Sequence, residues 1–309
     1  MGENKIVIAG AGVMGASLAQ VYAKAGYRVT LYDIFEEGIE KGRHLISLNQ
    51  ETLVAENIIT EAESDKIVSR VSYTVSDDCF KDAYLILECI VEDLEAKHSF
   101  WMKASASAPG DALLATNTSG LSITEIAKAV KNPERFIGQH WLNPPHLLPL
   151  CEIIVGEETS EKTTAIMKEL VRGLEKQPVV VKDIGGFIVN RIQFAVLREA
   201  LYIAESGAAS FEDIDTVLKA GMGLRYSVLG PFGIADHGGL DTFDHINSYL
   251  NAQLSDAKEG NALLHKMVAE GKLGVKSGAG FYDYSGDRAD DAIRERDRMY
   301  IKLAKALYF

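Results

Sequence analysis

The stretch Lys5-Ile6-Val7-Ile8-Ala9-Gly10-Ala11-Gly12-Val13-Met14-Gly15 decides the fold. The unbroken apolar run from Ile6 to Ala9 suits a strand buried on both faces, and the glycines after it keep the spacing G-x-G-x-x-G. Apolar residues then recur at helical spacing over 13–25, Gly26 closes the run, and residues 28–33 form a second apolar strand ending in Asp33. Together they predict a β-α-β unit of about 30 residues, the first unit of a parallel sheet. Gly10 permits the tight turn. Gly12 lets the backbone approach a pyrophosphate, and Gly15 allows close contact between helix and strand, with Met14 in the same loop. The helix N-terminus then faces the anion.

Asp33 lies 18 residues after Gly15. A carboxylate there accepts hydrogen bonds from both ribose hydroxyls and repels a 2′-phosphate, which selects NAD over NADP. Ile34 and Phe35, next in the chain, offer no arginine for such a phosphate. The plain alternative is a glycine turn that only packs a helix on a strand, and a flavin dinucleotide is the rival ligand.

Outward from this unit, residues 35–71 read as one or two amphipathic helices with a break near 57–60. Buried strands follow at 83–91, 113–117, 136–141 and 152–155, then an amphipathic helix at 160–176 and a last strand at 178–181. Beyond Gly186 the pattern turns helical, at 187–206, 211–220, 241–257 and 261–270. The Gly- and Tyr-rich stretch 274–284 reads as a fixed loop, whose tyrosines pack rather than act chemically. The expected fold class is α/β: an N-terminal Rossmann domain over 1–185 with a mostly parallel sheet, then an all-helical C-terminal domain over 186–309.

The 309 residues are 47% hydrophobic and 25% charged, enough apolar material for two cores. A net charge of −12 argues against nucleic acid or an anionic membrane as partner. Cys79, Cys89 and Cys151 show no CxxC spacing and read as reduced residues. With no apolar segment ahead of Lys5 and none of membrane-spanning length, a cytoplasmic protein is expected.

A second stretch carries chemistry. Between Gly138 and Ile153 the chain holds His140 and Glu152 on either side of Pro144-Pro145. A chain that turns at the prolines can bring the carboxylate back to the imidazole, and an imidazole oriented by a carboxylate transfers protons near pH 7. Oxidising a secondary alcohol needs such a base while hydride leaves for NAD. His237, Asp241 and His245 are spaced by four, but Gly238-Gly239 interrupts them, so no metal site is expected.

At this point the chain resembles the L-3-hydroxyacyl-CoA dehydrogenase family. The resemblance rests on Glu88 to Glu92 with Lys97, on Thr116 to Ser119, on His140 with Asn143-Pro144 and Glu152, and on Gly186 to Arg191. It continues through Gly230 to Phe232, Gly239 to Asp241, and Lys276 to Tyr282. The resemblance implies NAD-dependent oxidation of a 3-hydroxy group and a homodimer formed through the helical domain. It makes His140 the base, Glu152 its partner, and Ser119 and Asn190 groups that face the substrate oxygen. It places Glu92, Lys97 and Asn117 near the nicotinamide and its ribose, and Asn143 near the substrate. Plainer readings exist: Ser119 as the cap of a helix beginning near Ile123, Asn190 as a polar residue on a wet helix face, and Lys97 as a solvated helix lysine.

The substrate is less settled by sequence. A short 3-hydroxyacyl-CoA such as 3-hydroxybutyryl-CoA, in fatty acid metabolism, is the leading expectation. Family members that take CoA usually carry lysines on the helices after Asp33, whereas residues 39–66 hold Lys41, Arg43 and Lys66 against six carboxylates, a balance of −3. The Arg225-Tyr226 form ahead of Gly230-Pro231 resembles the branch that oxidises small free acids such as gulonate and carnitine. There Arg225 would grip a carboxylate, in place of a surface ion pair. The tail from Gly278 to Asp283 resembles the CoA branch.

Overall fold

The computed structural model describes residues 4–308. The chain divides into two compact units, one ending at Asn190 and one spanning Arg191–Leu307.

The first unit is an eight-stranded sheet in the order β3-β2-β1-β4-β5-β6-β7-β8. Its strands are β1 Lys5–Ala9, β2 Arg28–Tyr32, β3 Val71–Thr74, β4 Leu85–Glu88, β5 Leu113–Thr116, β6 Phe136–Trp141, β7 Leu150–Val155 and β8 Gln177–Lys182. All neighbours run parallel except β6 and β7. Its helices are α1 Val13–Lys24, α2 Glu36–Ala55, α3 Glu61–Val68, α4 Leu94–Ser107, α5 Ile123–Ala127 and α6 Glu161–Gly173. The expected mostly parallel sheet is therefore present. Its core strands are continuous apolar runs because helices cover both faces; Ile6, Val7, Ile8 and Ala9 are all fully buried.

The strand order reverses between β1 and β4, since β1 leads to β2 and β3 on one side while β4 begins the other. In such sheets ligands bind at the carboxyl ends of the strands flanking this point. The loops Gly10–Gly12, after β1, and 89–93, after β4, lie there.

The second unit takes in most of α7 Val189–Glu205, then α8 Phe211–Thr216, a π-helical stretch Val217–Gly223, α9 Leu224–Tyr226, α10 Pro231–Gly238, α11 Leu240–Leu250, α12 Ala262–Ala269 and α13 Arg288–Leu307. Its described regular elements are helical apart from isolated bridges at Gly274, Ala279 and Asp283, as expected for an all-helical half. The loop 274–284 is held as predicted: the Tyr282 hydroxyl donates to Asp215 at 2.9 Å, beside an apolar cavity of about 530 Å³ lined by Leu201, Phe211, Met267 and Phe281.

β3, α10 and α13 are among the elements that escape the sequence pattern. β3 is a four-residue edge strand with one buried side chain, too short to show a period where it follows the helical reading of 35–71. α10 starts from the Gly230-Pro231 break and has eight residues. α13 is rich in charge and buries only Ile301 and Ala304, so its apolar stripe is thin. Among the described residues no helix is long and apolar enough to cross a membrane.

Candidate active site

The glycine loop shows which of its residues the protein itself requires. A Cβ on Gly15 would lie 1.8 Å from the Gly10 carbonyl oxygen, and one on Gly10 would lie 2.6 Å from that of Cys89. A Cβ on Gly12 would meet nothing within 4 Å. Gly10 is thus fixed by the chain leaving β4 and Gly15 by the close approach of α1 to the turn after β1, whereas the space over Gly12 is open for an incoming group. Val13, at the start of α1, is exposed beside it. Asp33 braces the same loop: Oδ2 accepts from Ala11 N at 2.9 Å and Oδ1 from Phe35 N at 3.1 Å. The cradle fits a dinucleotide, whose pyrophosphate Gly12 would admit and whose ribose Asp33 would hold.

The strands beyond β4 carry polar groups toward the same end of the sheet. β6 and β7 pair antiparallel with His140 directly opposite Glu152. Nδ1 of His140 lies 2.7 Å from Oε2 of Glu152, with both side chains nearly fully buried. The other oxygen, Oε1, accepts from the backbone N–H groups of Ile188 and Val189 at 2.9 and 3.0 Å. Glu152 therefore caps the N-terminus of α7 while it holds the histidine. Burial alone would raise its carboxyl, but the bonds from His140, Val189 and Ile188 outweigh burial and hold it below the usual range. With Nδ1–H donated to Glu152, the lone pair of the neutral ring sits on Nε2.

The turn into α7 supplies more. Phe187 has φ +50°, is 1% exposed, and sets its ring 5.4 Å from that of His140. Asn190, in the first turn of α7, donates from Nδ2 to the Ser119 carbonyl at 2.7 Å. It is therefore tied to the loop after β5 and is not a free polar residue on a wet face. The cap of α5 is Ser122, whose Oγ accepts from Glu125 N and also bonds Asp183. The capping reading of Ser119 is overturned, because the helix begins three residues later than that reading requires.

Glu92, Lys97 and Asn117 form a supporting frame. Glu92 Oε1 accepts from Thr118 Oγ1, Ser119 N and Gly120 N at 2.5, 2.8 and 3.2 Å. These bonds, with Lys97, hold its carboxyl low despite burial. Lys97 is 1% exposed, which overturns the reading of a solvated helix lysine. Its Nζ lies 2.5 Å from Glu88 Oε1 and 3.4 Å from Glu92 Oε2. A buried ammonium needs such partners, and Glu88 in turn accepts from Thr116 Oγ1 and Trp101 Nε1. Asn117 Oδ1 accepts from Trp141 N at 2.9 Å, which fixes the end of β6 just past His140. Asn143 is exposed in the β6–β7 connection, and its peptide bond to Pro144 is cis. Arg225 is exposed on α9 in the second unit.

Sequence reading missed the Ile188 and Val189 amides and Phe187. Backbone groups carry no residue signature, and a buried Phe looks like any core residue.

Comparison with known proteins follows the same division of the chain. The sequence profile of the 3-hydroxyacyl-CoA dehydrogenase NAD-binding domain matches residues 5–184, and that of the C-terminal domain of the same family matches 186–284. A protein of Mesorhizobium japonicum named 5-formyl-3-hydroxy-2-methylpyridine 4-carboxylate 5-dehydrogenase is 34% identical over 306 residues, covering 98% of each chain. A probable 3-hydroxybutyryl-CoA dehydrogenase of Bacillus subtilis is 37% identical, over 91% of this chain and 97% of its own. A crystal structure of a 5-formyl-3-hydroxy-2-methylpyridine 4-carboxylic acid 5-dehydrogenase, described as an NAD+-dependent dismutase, superposes with a TM-score of 0.91 at 33% identity over 98% of both chains. The chain belongs to the 3-hydroxyacyl-CoA dehydrogenase family and is an NAD-dependent oxidoreductase of that type.

Proposed function

We propose that this enzyme oxidises a hydroxyl group on a small free carboxylate, with His140 as general base. Nε2 of His140 takes the hydroxyl proton as the C–H hydride passes to the nicotinamide. In reduction the imidazolium returns that proton to the forming alkoxide. Glu152 holds the ring in the tautomer that leaves Nε2 basic, and it stabilises the imidazolium once formed. Ser119 and Asn190, joined to each other and to Glu92, offer neutral donors toward an alkoxide. Asp33, Glu92, Lys97 and Asn117 shape the cofactor side, Lys97 acting through Glu92 and Glu88. Asn143 and Arg225 are assigned to the substrate, with Arg225 on its carboxylate. Residues 186–309 are read as the part that holds substrate and pairs two copies, in a cytoplasmic homodimer.

The observation that carries the free-acid reading is the charge on α2 and α3. Over residues 39–66 six carboxylates stand against three cations, and one of the three, Arg43, lies 4.0 Å over the Tyr73 ring with Glu40 beside it. A polyanionic CoA is repelled by that surface. A relative named for a pyridine carboxylate that matches end to end supports the same reading. The Bacillus relative and the tail from Gly278 to Asp283 favour the second reading, a short 3-hydroxyacyl-CoA.

NAD reduction decides between them. The panel comprises 3-hydroxybutyryl-CoA, free 3-hydroxybutyrate, sugar-derived 3-hydroxy acids and hydroxymethyl- or formylpyridine carboxylates. A free acid is expected to turn over with the higher kcat/KM. Turnover of the thioester alone overturns the reading. Arg225→Met is expected to raise KM for the acid by roughly tenfold or more, the loss of one charge-assisted pair, with NADH affinity unchanged.

A further inference from the structure

Lys176 is a buried cation that the chemistry above does not use. It lies between α6 and β8 and is 7% exposed. Its ammonium donates to the carbonyl oxygens of Pro145 and Leu148 at 2.9 and 2.8 Å. These carbonyls close a single turn in which the Leu147 and Leu148 N–H groups both reach back to the Pro144 oxygen at 3.0 Å. The next residue, Gln177, donates its N–H to Pro149 O at 2.7 Å and opens the pairing of β8 with β7. A cation at the carboxyl end of a turn satisfies carbonyls that no amide follows.

That turn lies in the connection between His140 and Glu152, directly after Asn143, where it constrains the register of β7 against β6. We propose that Lys176 is a positioning residue that locks the β6–β7 connection, and through it the His140–Glu152 contact, in the geometry that turns over substrate. The inference rests on His140 being the base. Hydrogen bonds from an ionised donor are roughly twice as strong as neutral ones, so the lock is firmest while Lys176 is charged.

Burial, with the charge of Lys24 second, pushes the Lys176 ammonium down to about 8, while Cys151 and Glu175 draw it the other way. Lys24 and Glu175 form an exposed pair at 3.9 Å. The Cys151 thiol is pushed well up by burial and titrates later. His146 belongs to the tethered turn itself.

The test is kcat for oxidation between pH 7 and 10 at saturating NAD, in wild type, K176R and K176M. Active sites are counted by NADH titration. The wild type is expected to lose about fivefold through pH 8. K176R, whose guanidinium keeps its proton, is expected to stay level, and K176M to run at the lowered rate throughout with unchanged NADH affinity. Identical alkaline profiles in wild type and K176R overturn the proposal. So does a K176M enzyme that only melts earlier while keeping wild-type kcat. If Met at 176 prevents folding, the first comparison decides alone. His140→Ala in the same series separates the two ideas: retained turnover there removes the base assignment, whereas its loss beside coincident alkaline profiles of wild type and K176R removes only the lock.

Discussion

His140 and Glu152 face one another across the antiparallel pair β6–β7, and the carboxylate that holds the imidazole through one oxygen holds the first amides of α7 through the other. One side chain thus sets the tautomer of the histidine and anchors the helix that carries Asn190. The proposed proton relay and the local fold share a single carboxylate.

Replacing His140 with Ala removes the proposed proton acceptor and leaves the glycine loop untouched. Turnover is expected to fall by about 10²–10⁴, while NADH binding, followed by fluorescence titration, stays at the wild-type value. Turnover within threefold of wild type would refute the base assignment.

Glu152→Ala strands a buried imidazole and two amides, and a loss of roughly 3 kcal/mol or more is expected in urea unfolding. Glu152→Gln keeps the shape and separates charge from packing. The Glu152 carboxyl is held low in the folded protein, so the unfolded chain takes up the proton first as pH falls. Its contribution is full above the ordinary carboxyl value of about 4.3 and is lost as pH drops through the folded-state value. The wild type should therefore destabilise more steeply than Glu152→Gln below about pH 4.3, and equal slopes in acid would contradict this.

Gly12 and Gly15 should separate by cause. Gly12→Ala meets no protein atom within 4 Å, so its melting temperature is expected to match wild type while NAD affinity falls at least tenfold. Gly15→Ala places a methyl 1.8 Å from a carbonyl oxygen and should unfold or aggregate with or without cofactor. A Gly12→Ala enzyme with normal NAD affinity would mean the cofactor takes another path.

Lys97→Met leaves Glu88 charged and unpaired in the core, and a loss of about 3–5 kcal/mol is expected by chemical denaturation. The double variant Lys97→Met with Glu88→Leu should recover most of it, since neither charge is then buried alone. A double variant no more stable than the single one would show that the pair does more than neutralise itself.

Much of this was legible in the chain itself. The β-α-β unit, the apolar strands and the change of texture near Gly186 follow from hydrophobic period and glycine placement, which are local properties. His140 and Glu152 were legible as residue types able to move protons, whereas Ser119 and Asn190 came only through the family resemblance. β3 and α13 were not legible, because one buried side chain in β3 and two in α13 leave almost no period to detect.

By itself the sequence determined a dinucleotide-binding sheet followed by helices, together with the kind of chemistry, since spacing and residue type record those directly. Only the tertiary structure decided the partners. It put Ser122 and not Ser119 at the cap, buried Lys97 against Glu88, gave Glu152 two duties, and set Lys176 under the turn that joins the reactive pair. Each of these is a meeting of groups far apart in the chain or of backbone atoms without a letter. Packing and hydrogen-bond satisfaction arrange them, and no local pattern records that.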